Sequence, residues 1–328
     1  MNINVLDCTL RDGGYVNNWE FGYKNILEII LNLSDAKLNY IEYGFLQDIE
    51  YDKNKSIFND FINTDFALSC SKLLLMLNYG DFELNKILKL APNHVALRVA
   101  FKKNKINEAL KFCDELIKNG FKVFLNPMNT ISYNQYEILQ LIDKANIIKP
   151  QTLTIVDTLG QMNKADSLNL FNLFDKNLDT SISIGYHSHN SLALSFLNAQ
   201  AILEQETSRD VIIDSSLFGM GRGAGNLQTE LLVQYLNDNY QKKYNLIPIL
   251  KMIHEIINPI FELTPWGYSV PYRIAALNSC HPDYAKFLIG KNVNFEKIDQ
   301  ILKLIPENNK TIYEPSLIED IFFGFVNI

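Results

Sequence analysis

Apolar residues along the chain fall into two alternating rhythms. Short runs rich in Ile, Leu, Val, Phe and Tyr occupy 3–8, 40–45, 73–77, 95–101, 122–126, 153–157, 181–187 and 211–218, with the length and composition of buried strands. Longer segments between them have helical spacing. Ile26, Leu27, Ile30 and Leu33 share one face, and Ala109, Leu110, Cys113, Leu116 and Ile117 share another. Punctuation falls where such units need it: Pro92 and Pro150 stop helices before the fourth and sixth strands, and Asn119-Gly120 reads as a helix C-cap before the fifth. Eight strands, each followed by a helix, predict an α/β fold closed into a (β/α)8 TIM barrel rather than an open doubly wound sheet.

The alternation ends near residue 240. Positions 246–261 are strongly apolar, with Ile249, Leu250, Ile253, Ile256, Ile257 and Ile260, and helical patterns return at 271–289 and 295–304. The expected organisation is a barrel catalytic domain at 1–240 and a C-terminal helical region at 241–328 packed on it. The apolar tail helix also raises a homodimer, although burial against its own barrel would use the same residues.

Composition narrows the choice of partners. Of 328 residues, 47% are hydrophobic and 20% charged, the balance of a soluble globular protein. Thirty basic against 37 acidic residues leave a formal charge of −7. Lys102, Lys103 and Lys105 form only a small basic cluster, so a nucleic-acid partner is not expected. No apolar stretch reaches membrane-spanning length, and the N-terminus has neither a basic n-region nor a cleavage site. Cys8, Cys70, Cys113 and Cys280 lie far apart without CxxC spacing, which suits free thiols in a reducing cytoplasm.

Chemistry-bearing residues cluster at predicted strand ends. His187 and His189 are two of only five histidines. On a strand, residues i and i+2 point to one face with Cα atoms roughly 6.5 Å apart, a spacing that suits two ligands of one metal ion. The alternative is two polar residues decorating a loop. The first strand runs into Arg11-Asp12-Gly13-Gly14, and active-site groups in a barrel project from the C-terminal strand ends. Asp12 with the two histidines makes a two-histidine, one-carboxylate set with positions left open for substrate. A local ion pair capping the next helix is the competing reading of Arg11-Asp12. At the sixth strand end, Asp157 and Thr158 bring a carboxylate and a hydroxyl to the rim, for substrate or for a helix cap. Asp214 lies inside the eighth strand, where a carboxylate needs a partner, and it is expected to accept from a ligand histidine.

The eighth strand leads into Gly219-Met220-Gly221-Arg222-Gly223-Ala224-Gly225-Asn226. Such glycines admit close backbone approach, so Gly223 and Gly225 are candidate substrate contacts, although a tight turn also explains them. Asn226 could add an oxygen ligand. No acidic residue follows at the distance a dinucleotide-binding motif requires. His94, His254 and His281 read as structural.

The run Leu6-Asp-Cys-Thr-Leu-Arg-Asp-Gly, the His187-x-His189 pair and the glycine segment ending at Asn226 fall in order on the first, seventh and eighth strands. Together they resemble the metal-dependent lyases and synthases built on the Asp-Arg-Glu type of barrel. That group includes 4-hydroxy-2-oxovalerate aldolases, hydroxymethylglutaryl-CoA lyases, isopropylmalate synthases and homocitrate synthases. The resemblance implies a divalent cation on Asp12, His187 and His189 with Asn226 beside it. Mn²⁺ or Mg²⁺ is favoured, with Zn²⁺ or Fe²⁺ as alternatives. It also implies that Arg11 stabilises an enolate oxygen.

The loop Gly223-Ala224-Gly225-Asn226, without an acidic residue, looks more like the aldolase branch. The implied reaction cleaves or forms a 4-hydroxy-2-oxo acid through a metal-stabilised pyruvate enolate. Trp266-Gly267-Tyr268 resembles a Gly-Tyr segment that supplies a tyrosine to the aldolase site. One departure stands out. The aldolases carry a histidine base just after the Arg-Asp-Gly turn, and here that place reads Gly14-Tyr15, leaving Tyr15, Tyr268 or a metal-bound water for the role. The rival expectations are a Claisen-type acyl-CoA synthase or lyase, and a non-catalytic barrel scaffold.

Overall fold

The computed structural model describes residues 2–61, 71–90 and 95–326. Cys70, Pro92 and His94 lie outside the described residues. Eight parallel strands form the barrel: β1 (Asn2–Asp7), β2 (Tyr40–Leu46), β3 (Lys72–Asn78), β4 (Val95–Phe101), β5 (Val123–Pro127), β6 (Thr152–Asp157), β7 (Ser183–Ser188) and β8 (Asp210–Ser215). Each pairs with the next, and β1 closes the ring by pairing with β8 through Leu6↔Asp214 and with β2 through Leu6↔Tyr40. The chain is a (β/α)8 TIM barrel with C-terminal helices.

The helical layer is less regular than expected. Full-length helices follow β1, β4, β5, β6, β7 and β8. Among the described residues, only the four-residue turn Leu84–Ile87 follows β3, and no helix separates β2 from β3. A two-residue strand, Ile57–Phe58, instead pairs beside β2 at Phe45↔Ile57. The eighth strand stops at Ser215, and 217–219 form a 3₁₀ turn rather than continuing the strand.

Alternation along the strands builds two layers inside the barrel. Leu6, Tyr40, Leu74, Ala96, Phe124 and Ile212 come from six strands and form an apolar cluster separate from the sheet–helix core. Two residues further along β2, β4, β5 and β8, on the same face, stand Glu42, Arg98, Asn126 and Asp214, all buried. The apolar layer plugs the barrel, and the polar layer above it floors the mouth.

The tail splits in two. Leu246–Met252, Ile253–Ile257 and Asn258–Leu263 run on as one helical stretch, and Ile249, Met252, Ile253, Ile256 and Ile257 join the main core. Its middle is a π turn closed by the Asn258 N–H on the Ile253 carbonyl. Pro259 follows immediately, and its missing N–H and bulky ring disfavour regular α-helical bonding there. Val270–Leu277, Pro282–Gly290, Phe295–Lys303 and Pro315–Val326 build a second core around Tyr284, Leu288, Ile298, Ile301 and Ile318. Among the described residues no helix is long and apolar enough to cross a membrane.

Candidate metal centre

β1 ends at Asp7, and the short helix Thr9–Asp12 turns Arg11 and Asp12 inward, both buried. β7 carries His187, and an isolated bridge pairs His189 with Asn226 from the loop after β8. The strand periodicity therefore brings both imidazoles to the mouth, their ring centroids 5.2 Å apart and the planes nearly perpendicular. One ligand atom from each of Asp12, His187 and His189 lies within 4.8 Å of the others.

The surroundings fix which nitrogens face the centre. His187 Nδ1 lies 3.0 Å from Asp214 Oδ2, and His189 Nδ1 lies 3.3 Å from the Gly225 carbonyl. Both Nδ1 atoms carry the proton toward those oxygens, leaving the two Nε2 lone pairs free, the usual preparation of imidazole for a metal. Burial, above all, holds the His189 imidazole down at about 4, so it stays neutral. Burial would raise the Asp12 carboxyl, but the Arg11 guanidinium beside it more than offsets this, and the group stays ionised, well below the carboxylate range.

An ion-pair lattice supports this set from below. Arg11 donates through Nε to Glu42 at 2.7 Å and through Nη1 to Asp12. Arg98 Nη2 lies 2.6 Å from Asp214 Oδ2, and its Nη1 is 3.5 Å from Glu42. Arg98 Nε donates to Asn126 at 3.1 Å. Three carboxylates (Asp12, Glu42, Asp214) face two guanidiniums, an excess of one negative charge in a buried volume. Uncompensated charge there is costly. A divalent cation held there would offset it, so the donor set and charge fit a metal.

Among the buried atoms without hydrogen-bond partners within the described residues are Asn226 Oδ1 and Arg11 Nη2. Asn226 donates through Nδ2 to Asp12 Oδ2 at 2.7 Å and to the Met220 carbonyl at 3.0 Å, so its amide oxygen is the idle atom beside the carboxylate ligand. A cavity of about 500 Å³ opens over the centre, lined among others by Arg11, Asp12, Tyr15, Asn126, His187, His189 and Arg222. Tyr15 packs edge-on to Trp19 and Phe45. Burial pushes its phenol up, against an opposing pull from Arg222.

Other expected site residues take different places. Asp157 is buried with its oxygens accepting from the backbone N–H groups of Gln161 and Met162, each at 2.9 Å, so it caps the loop after β6 and does not line the cavity. Thr158 does line it, accepting from the Asn129 N–H at 2.8 Å. Gly223 and Gly225 adopt positive φ and line no part of the cavity. A Cβ on Gly225 would sit 2.1 Å from the Gly219 carbonyl, so the turn reading accounts for it. Tyr268 is 52% exposed and outside the cavity lining.

Glu42, Arg98, Asn126 and Arg222 are site residues that strand patterning passed over. The signal was present: Glu42 and Arg98 are charges set inside apolar strands, the same anomaly that singles out Asp214. Gly221 was also missed as an individual residue. A Cβ there would meet Asn226 Nδ2 at 2.3 Å and Asp12 Oδ2 at 2.8 Å.

Comparison with known proteins agrees with this geometry. A homocitrate synthase from Pyrococcus horikoshii is 25% identical over 286 residues, covering 84% of this chain and 76% of that protein. A 4-hydroxy-2-oxovalerate aldolase from Bacillus thuringiensis is 23% identical over 277 residues, covering 80% and 77%. Among solved structures, the N-terminal domain of a candidate aldolase from Bacteroides vulgatus superposes with a TM-score of 0.76 at 25% identity, covering 90% of this chain and 99% of that one. The HMGL-like family model matches residues 2–256, and with that match the chain belongs to the HMGL-like family of metal-dependent lyases and synthases.

Proposed function

We propose that this protein is a divalent-metal-dependent aldolase that cleaves or forms a 4-hydroxy-2-oxo acid. The observation that carries the reading is one cavity holding both the Asp12–His187–His189 set and the unpartnered Arg11 Nη2. Two imidazole nitrogens and a carboxylate oxygen favour a first-row ion such as Mn²⁺ over Mg²⁺. When bound, that cation would chelate the keto oxygen and carboxylate of the oxo acid and draw electrons from the carbonyl.

The chain's own residues supply the rest. Arg11 is permanently cationic, and Glu42 and Asp12 pin two of its nitrogens. Its Nη2 is left as a preorganised donor for charge that develops on the keto oxygen as the C3–C4 bond breaks. Tyr15 retains its phenolic proton at neutral pH, because burial raises it. In the condensing direction it delivers that proton to the new 4-oxygen and is reprotonated from solvent; cleavage is the reverse, the phenol first releasing its proton to solvent so that the phenolate takes the proton of the 4-hydroxyl. Packing against Trp19 and Phe45 keeps the ring in place for this.

The decisive experiment loads the full chain with Mn²⁺ and offers 4-hydroxy-2-oxo acids of varied length, detecting released pyruvate, alongside acyl-CoA substrates with a thiol assay. Pyruvate release that disappears in Arg11→Lys supports the aldolase. Thioester turnover without oxo-acid cleavage replaces it with a Claisen-type reaction, and silence in both arms with tight metal binding favours the scaffold.

A further inference from the structure

Arg222 occupies an unusual position for a charged residue. Its guanidinium lies 3.6 Å from the centre of the Tyr15 ring, and its Nη1 contacts His281 Nε2 at 2.8 Å. Since a guanidinium only donates, the His281 Nε2 lone pair accepts from Arg222, while Nδ1 faces Asp283, whose backbone N–H lies at 3.3 Å and whose Oδ2 lies at 3.6 Å. Burial, with Arg222 adding to it, holds this imidazole down at about 3, so it remains an acceptor. The group is thus clamped between the first-strand turn and the C-terminal helical unit.

Its charge is nevertheless unpaired. Among the described residues no carboxylate lies within ion-pair distance of Arg222, nor of Lys102 across the cavity. Both residues line the cavity over the metal ligands, and both line a second cavity of about 830 Å³ that continues past Thr158 toward His281, Asp283 and Tyr313. Lys103, by contrast, is neutralised by Glu137 at 2.7 Å. Asp283 lines the second cavity beside this clamp, with Oδ2 3.6 Å from His281 Nδ1.

From this we infer that the substrate carries a second anionic group, a carboxylate or phosphate on its aldehyde half, held by Arg222 with help from Lys102. The inference rests on the aldolase reading for its substrate head. The Tyr15 stack then also aligns the tail-binding guanidinium with the residue that moves the proton, so an anionic tail orients the 4-oxygen toward Tyr15.

The test compares 4-hydroxy-2-oxo acids of equal length ending in methyl, carboxylate or phosphate, with wild type, Arg222→Met, Arg222→Lys and Lys102→Met. An anionic tail is expected to raise kcat/KM about tenfold or more, mainly through KM, as for a charged hydrogen bond. That ratio should collapse in Arg222→Met, recover partly in Arg222→Lys, and fall modestly in the exposed Lys102→Met, whose fold is not at risk. Whichever of the two anions gains more identifies the tail.

A binding arm, titrating succinate, phosphoglycolate and uncharged succinamide into the same metal-loaded proteins by calorimetry, separates the two ideas. If no oxo acid is cleaved but an anion binds in an Arg222-dependent manner, only the aldolase reading fails. Equal turnover of neutral and anionic tails, or anion binding unchanged in Arg222→Met, overturns the inference.

Discussion

The carboxylate of Asp214 reaches His187 Nδ1 at 3.0 Å with the same oxygen that meets Arg98 Nη2 at 2.6 Å. Burial alone would raise this carboxyl, but Arg98 and His187 outweigh it and keep the group ionised. One oxygen therefore ties a candidate metal ligand to the charged floor of the barrel. Asp214→Asn, which keeps the volume and loses the charge, should weaken Mn²⁺ binding by about 10–100-fold. Asp214→Ala should in addition lower stability by about 3 kcal/mol, because Arg98 is left buried without its close partner. Calorimetric Mn²⁺ titration and urea unfolding check the two effects separately. Unchanged metal affinity in Asp214→Asn would mean that the bond does not orient the ligand.

The contrast between two glycines in the loop after β8 yields a second expectation. At Gly221 φ is not positive, and the atoms nearest a new Cβ are side-chain ones, Asn226 Nδ2 at 2.3 Å, Asp12 Oδ2 at 2.8 Å and Asn226 Cγ at 3.0 Å. Gly221→Ala should therefore pry Asn226 from Asp12, reducing metal affinity and turnover while costing no more than about 1–2 kcal/mol of stability. At Gly225, φ is +74° and the new Cβ would lie 2.1 Å from a backbone carbonyl. Gly225→Ala should cost more in stability than Gly221→Ala, since neither strain nor clash can relax through a side chain. Parallel melting curves and Mn²⁺ titrations of the two variants decide the point; equal stability losses would contradict the assignment.

Why one part of the site was legible and another was not follows from how each residue is used. His187 and His189 announce themselves because strand alternation alone puts them on one face, and Asp12 follows from the rule that barrels act at their C-terminal mouth. The strand series was readable for the same reason, since buried parallel strands are continuous apolar runs. The two-residue strand Ile57–Phe58 beside β2 was not, because a barrel strand reads alike whichever connection follows it. Asp157 shows the harder limit. A carboxylate at a strand end serves substrate or backbone equally well on paper, and only the Gln161 and Met162 N–H groups choose between them. Tyr268 shows another: a short motif carries no information about which way the tail turns, and the tail leaves it half in solvent. Arg222 was hidden in a glycine loop, where the glycines drew the explanation.

Protonation of His189 provides a prediction with a definite sign. Its value falls from 6.5 to about 4 in the folded protein, chiefly because burial penalises the cation. Between those two values the unfolded chain binds a proton that the folded chain does not, so stability rises with pH across that window and falls on acidification. In metal-free protein, His189→Gln should lose less stability than wild type between pH 6.5 and pH 4.5, by about 2 kcal/mol. Urea midpoints at the two pH values measure this. Direct imidazole titration by NMR should show His189 neutral at pH 5, and a midpoint near 6.5 would contradict the buried-neutral assignment.

The last expectation concerns the fork of Arg11. Nε on Glu42 and Nη1 on Asp12 fix the plane of the guanidinium, and Nη2 is what remains for the reaction. Lysine keeps the charge but has no planar fork, so it cannot hold both carboxylates and present a third donor at once. Arg11→Lys should therefore lower kcat by about 10²–10³, the usual loss when one preorganised donor to a developing oxyanion is removed. KM should change little, because the substrate head is held mainly by groups that the substitution leaves in place. Metal affinity should persist within about tenfold, since Asp12, His187 and His189 all remain. Steady-state kinetics with the best oxo acid of the panel, paired with Mn²⁺ titration, distinguish the outcomes. A rise in KM at constant kcat would make Arg11 a binding residue for the ground state and remove it from the chemical step.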